Sequence, residues 1–182
     1  MTLSSLQSGA SSLAGGDARP YLQTTYEASP LNRPVAQHGA GETWAEHPVS
    51  YQYITRNPRS FPSSYYMTPS GNFLGVCTTD EDGNQAYEFK DGFGRTILAG
   101  RMDGSDPCFA YYEYDNHDDL VNVYPPFVTY YQMNEPEGPY ATQSSYSYHY
   151  DFLHRCVYKK LPERDAIYYI YDHGDHQVLS QD

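Results

Sequence analysis

The chain has 182 residues, with 11 basic against 23 acidic side chains, a net charge of −12 and a pI near 4.8. That balance argues against a nucleic-acid binder, which needs Lys and Arg to neutralise phosphates, and against adsorption to anionic membranes. A mean hydropathy of −0.73 would suit a disordered chain, but 21 tyrosines, 7 phenylalanines and one tryptophan point instead to a folded β protein with an aromatic core.

In chain order, residues 1–19, rich in Ser, Gly and Ala, read as a flexible leader without the basic start or apolar h-region of a signal peptide. Residues 20–182 read as one β domain. Its first element spans 25–33, where Pro30 stiffens the turn. A loop over 37–46 carries Trp44, a strand follows at Val49–Arg56, and a Pro- and Ser-rich break covers 57–64. Segments 65–79 and 85–90 flank Asp80-Glu81-Asp82-Gly83-Asn84, a hairpin with a DG turn. A Pro-rich insertion at about 124–147, with Pro125, Pro126, Pro136, Gly138 and Pro139, is a loop or excursion rather than a central strand. No amphipathic helix of ten or more residues and no membrane-spanning run is expected.

The pattern Tyr-x-Tyr-Asp recurs at Tyr112–Asp115, Tyr148–Asp151 and Tyr169–Asp172. Repetition means that one small element is reused, so each copy reads first as a structural device rather than an active site. Asp91, Asp115, Asp151 and Asp172 align, with Ser29 as a weaker fifth member. Three residues on stand Asn32, Gly94, Asp118, His154 and Asp175, types that tolerate positive φ. Six residues on stand the β-branched Val35, Ile97, Val121, Val157 and Val178. Aromatics alternate before the turn and Val121 and Val123 share the period of two after it, which is a hairpin signature. Lone hairpins are marginal, so the fold class is all-β, an antiparallel sheet of repeated β-hairpins. The residues assigned to the turns are Asp91, Gly94, Arg95, Asp115, Asp118, Asp151, His154, Asp172 and Asp175.

The segments YEYDNHDDLVNVYPP, YHYDFLHRCVYKKLP and YYIYDHGDHQV resemble the YD repeats of RHS-repeat proteins. TTDEDGNQAYEFKDGFGRTILAGR and YEASPLNRPVAQHGAGETW resemble stretches of the large RHS-repeat proteins of Bacteroidetes, so the likeness covers roughly 20–182. The resemblance implies a strand-rich segment of an open or partial shell, from a large exported or polymorphic-toxin-like protein that is secreted or held at the cell surface. The family's Gly-Arg after Tyr-Asp is kept at Gly94-Arg95 and becomes Asp118-Asp119, His154-Arg155 and Asp175-His176 elsewhere.

Other constellations read as structure. The 80–84 stretch alternates oxygen ligands but departs from the EF-hand pattern, since Gln85 stands where its glycine belongs. His149, His154, His173 and His176 cluster without matched zinc ligands and read as solvated. Asp118-Asp119 and Glu135 with Glu137 fall in turns or the insertion, where no cleft holds a carboxylate pair, and Ser63-Ser64 and Ser144-Ser145 have no histidine placed beside them. Cys77, Cys108 and Cys156 lack ligand spacing and read as structural thiols. The expectation is a non-catalytic scaffold segment with no cofactor and no metal. Its partners would be the rest of a larger repeat protein or a second copy at open sheet edges, with neither nucleic acid nor membrane insertion. The alternative is a carbohydrate- or protein-binding β module that uses exposed tyrosines to hold a glycan.

Overall fold

The computed structural model describes residues 2–57, 71–104, 106–126 and 144–181. Residues 58–70 and 127–143, which hold most of the expected break and insertion together with Ser63, Ser64, Glu135 and Glu137, lie outside the described residues. The strands are β1 Gln23–Tyr26, β2 Pro34–His38, β3 Val49–Arg56, β4 Phe73–Thr79, β5 Gln85–Lys90 and β6 Thr96–Asp103. They continue as β7 Asp106–Tyr114, β8 Leu120–Tyr124, β9 Tyr146–Tyr150, β10 Cys156–Lys160, β11 Ala166–Tyr171 and β12 Gln177–Gln181. Sheet order is chain order, each strand hydrogen-bonded to the next, and the recorded pairings are antiparallel. The fold is therefore the all-β, hairpin-by-hairpin sheet expected from the repeats.

Two compact units divide the chain: Met1–Ile54 with Val76–Ala86, and Thr55–Gly75 with Tyr87–Asp182. In the first, β1 pairs with β2 and β2 with β3. Here the sequence reading needs a correction. It expects a flexible leader and no amphipathic helix of ten or more residues, yet Leu3–Leu13 forms α1, an 11-residue α-helix. The cause is local: the Thr2 side chain accepts from the Ser5 N–H while Ser5 Oγ accepts from the Thr2 N–H, a reciprocal capping box. Leu3, Leu6 and Ala10 then line a cleft of about 540 Å³ with Tyr21, Leu22, Gln23 and Thr24, and Gln7 donates to the Tyr21 hydroxyl at 3.2 Å.

In the second unit the core among the described residues lies on β5, β6 and β7. Phe89, Phe109, Leu98 and Ile97 are buried, with Phe89 and Phe109 fully so. Two glycines let the chain pack closely around this core. Gly75 lies under Phe89, where a Cβ would meet the ring at 2.6 Å. Gly100 sits opposite Phe109, and its Cβ would overlap the Cys108 carbonyl oxygen. Small residues facing large ones let strands approach closely. The last strand, β12, is exposed along its whole length, with Val178 and Leu179 more than half exposed.

Candidate functional site

Alternating antiparallel connections put every second turn at the same end of the sheet. In the second unit that end carries the turns 91–95, 115–119, 151–155 and 172–176, which hold all the residues the sequence assigns to turns. Each follows one plan. The N–H three residues after the Asp bonds its carbonyl, and the Asp N–H bonds the carbonyl four residues on, as in Gly94 to Asp91 and Asp91 to Arg95. This is a type I turn closed by a left-handed residue. Gly94, Asp118, His154 and Asp175 all have positive φ there, between 61° and 86°.

Each Asp carboxylate caps its own turn. Asp91 Oδ1 accepts from the N–H groups of Phe93 and Arg95, and Asp115 Oδ1 from His117 and Asp119. Asp151 Oδ1 accepts from Leu153 and Arg155, and Asp172 Oδ1 from Gly174 and His176. The fourth N–H has lost its ladder partner to the left-handed residue, and the carboxylate supplies one. Asp80 does the same for Asp82 and Asn84, with its second oxygen bound by the Asn84 amide, so this carboxylate is engaged by its own turn.

These bonds hold the carboxyls below the usual range. For Asp151 the Arg155 side chain is the main cause, and for Asp172 it is the His176 N–H. For Asp91 and Asp115 desolvation is the largest single influence and pulls upward, but the hydrogen bonds together outweigh it.

The β-branched column has a role that simple alternation does not show. On β8, Tyr114 faces Leu120 and Glu113 faces Asn122, so Val121 is the extra residue of a β-bulge. The same shift leaves Val157 extra on β10, Val178 on β12 and Val35 on β2. A bulge disrupts the ladder and sharpens the twist. The next seam accordingly opens two residues late: β6–β7 pairs begin at Leu98, β8–β9 at Asn122, β10–β11 at Tyr158 and β2–β3 at Ala36.

The second tyrosine of the motif closes that gap. The Tyr114 hydroxyl donates to the Thr96 carbonyl at 3.0 Å, Tyr150 to Leu120 at 3.1 Å and Tyr171 to Cys156 at 2.9 Å. In the first unit Tyr53 donates to Pro34 at 3.0 Å. Pro34, Leu120 and Cys156 each stand immediately before a bulge residue, and Thr96 stands at the matching place before Ile97, so Tyr-Asp is a two-part device. The Asp closes its own hairpin and the Tyr staples it to the preceding one.

Charged rungs run beside the staples. Arg95 binds Asp91 through Nε at 2.7 Å, reaches Asp118 of the next turn at 2.6 Å and lies 4.9 Å over the Tyr114 ring. Arg155 repeats this with Asp151, Asp175 and the Tyr171 ring. In the first unit Arg33 forks onto Glu27 at 2.8 and 2.9 Å and lies 4.0 Å over Tyr53. Hydrogen bonds from Arg33, then from Ser29, lower the Glu27 pKa to about 2.

The turn between these two arginine-bearing turns differs. The fourth residue after its Asp115 is Asp119, which meets Nδ1 of His154 at 2.8 Å. His154 is therefore paired rather than merely solvated, as the sequence alone suggests. His149 lies against Tyr158, rings stacked at 4.4 Å, and Tyr158 meets Tyr168 edge-on at 5.4 Å. That exposed aromatic row turns its rings on one another. Asp118 and Asp119 serve separate rungs, and Ser144 and Ser145 are buried. Among the described residues, no group of three or more His, Cys, Asp or Glu side chains is arranged to hold a metal. No described helix is long and apolar enough to cross a membrane.

A family model described as a domain of unknown function (DUF6443) matches residues 3–56, from α1 through β3. No curated protein matches the chain. Among solved structures, a chain of the Photorhabdus luminescens Tc holotoxin pore, carrying a TccC3 mutation, is similar with a TM-score of 0.58 at 13% identity, over 86% of this chain and 7% of that one. A chain of the TcdB2-TccC3-TEV crystal structure gives a TM-score of 0.49 at 9% identity, over 88% of this chain and 9% of that one. At 13% identity the first likeness shows a shared fold, and the present chain spans a small fraction of its length.

Proposed function

We propose that this chain is a non-catalytic structural segment of an RHS/YD-repeat protein, contributing hairpins to a β-shell or surface assembly that is secreted or displayed at the cell surface. The observation that carries the reading is the staple: one hydroxyl-to-carbonyl bond, used at four seams, ties a hairpin to its predecessor. Such a device extends a sheet by repetition and supplies no nucleophile, base or cleft. The exposed β12 supports it further, because a segment meant to continue into more sheet has little need to bury that strand. The fold shared with a stretch of a much longer toxin-complex chain is in keeping with this reading.

The test is electron microscopy of the longest natural polypeptide that contains this sequence, alongside fluorogenic glycoside and peptide substrates and a glycan array. The reading expects density in which sheet continues past β12, with no turnover and no saturable glycan binding. Turnover or glycan binding abolished by a point substitution inside this chain would overturn it.

A further inference from the structure

We propose that the seam between β8 and β9 is a proton-dependent joint, held by a His154–Asp119 rung whose charges are reversed relative to the arginine rungs on either side. Each rung joins the fourth residue after one Asp to the third residue after the next. In the flanking rungs the earlier hairpin supplies the cation, Arg95 or Arg155, and the later one the anion, Asp118 or Asp175. In the middle rung the earlier hairpin supplies Asp119 and the later one His154. Arginine keeps its charge at any pH that the fold experiences, whereas histidine changes charge near neutrality. One rung in three is therefore titratable near neutrality.

Of the three seams that carry these rungs, β8–β9 also has the fewest registered pairs among the described residues. The β8–β9 seam registers two residue pairs, Asn122 with Ser147 and Val123 with Tyr146, against six at β6–β7 and three at β10–β11. The surroundings favour the imidazolium. The 115–119 turn brings Asp115, Asp119 and His117, while the histidine's own turn brings Asp151 and Arg155, the latter bound to Asp151 and Asp175. His117 meets His154 edge-on at 6.1 Å and has Asp115 as its own neighbour at 3.7 Å. The Asp119 hydrogen bond raises the His154 pKa above its ordinary value. A raised folded-state pKa means that the rung contributes fully below the ordinary histidine range and is lost as pH rises through the folded value. The joint thus tightens toward acid and loosens toward alkali.

Hydrogen exchange of the intact chain between about pH 5.5 and 8.5, expressed as protection factors, tests this. Protection at Val123 and Tyr146 should fall about two- to five-fold with rising pH, the range an exposed ion pair supplies, while the β6–β7 and β10–β11 seams stay level. His154→Gln should remove the pH dependence. Asp119→Arg combined with His154→Asp should restore a rung of the flanking sense that does not titrate. Retention of the dependence in His154→Gln, or equal loss at all three seams in the wild type, would overturn the proposal. Should the double variant not fold, an NMR titration of wild-type His154 decides. An inflection above the ordinary histidine value that moves the Val123 and Tyr146 amides supports the joint, and one at or below that value refutes it.

Discussion

The Tyr171 hydroxyl donates to the Cys156 carbonyl across 15 residues of sequence at 2.9 Å, and the bond exists because of the neighbouring bulge. Val157 is the extra residue on β10, the β10–β11 ladder begins only at Tyr158, and the carbonyl of Cys156 would otherwise face the seam unpaired. A half-buried carbonyl without a partner is costly, so the hydroxyl stabilises the hairpin contact at the place where the ladder opens.

Gly100 should tolerate no side chain. A Cβ there would collide with the backbone of Cys108 and Phe109, which cannot rotate away. Gly100→Ala is expected to cost at least about 1–3 kcal/mol in urea unfolding, the range for overpacking a tight site. Gly92→Ala, with nothing within 4 Å and no positive φ, should lie within about 0.5 kcal/mol of wild type.

Acid should weaken the turns. Asp91, Asp115, Asp151 and Asp172 are held below the usual range, so the stability they contribute is present above the ordinary carboxylate pKa, about 4, and is lost as pH falls through their folded values. Glu27 drops from 4.5 to about 2, so its contribution fades across that interval. A Tm–pH profile should fall below about pH 4, and Glu27→Gln should flatten the part of that limb that Glu27 supplies.

The turn columns were legible in the sequence because their causes are local. Gly, Asn, Asp and His tolerate positive φ best, and Asn32, Gly94, Asp118, His154 and Asp175 occupy such positions, while Glu163 at φ 58° lies outside that rule. The staples were not legible. Their acceptors are main-chain carbonyls, and the separation from tyrosine to acceptor is 19, 18, 30 and 15 residues because the intervening connections vary in length. No fixed period survives that variation. The valine column was visible as chemistry, but only strand register shows it as a bulge. The helix Leu3–Leu13 escaped notice because Ser and Gly suggest a leader, while its start depends on the Thr2–Ser5 box and its apolar residues on the Tyr21–Thr24 segment. The His154–Asp119 rung joins residues 35 apart on different hairpins, beyond any local pattern.

The three thiols should differ in reactivity. All are free; Cys77 is buried, and burial pushes the Cys156 thiol up, further from the reactive thiolate. Ellman's reagent should count three thiols after unfolding, with Cys77 lagging in the native protein. Fewer than three in unfolded, unreduced protein would contradict the free-thiol assignment.

The most direct test compares the two tyrosines of each motif. Tyr114, Tyr150 and Tyr171 carry the staples, whereas the hydroxyls of Tyr112, Tyr148 and Tyr169 make no hydrogen bond among the described residues. Each triple replacement by Phe removes three hydroxyls and keeps every ring. Equilibrium unfolding should show the Tyr114/Tyr150/Tyr171 triple less stable by about 3 kcal/mol, near 1 per lost bond, and the Tyr112/Tyr148/Tyr169 triple close to wild type. Equal losses in the two triples, or none in the first, would contradict the claim that the tyrosine before each Asp holds one hairpin to the next.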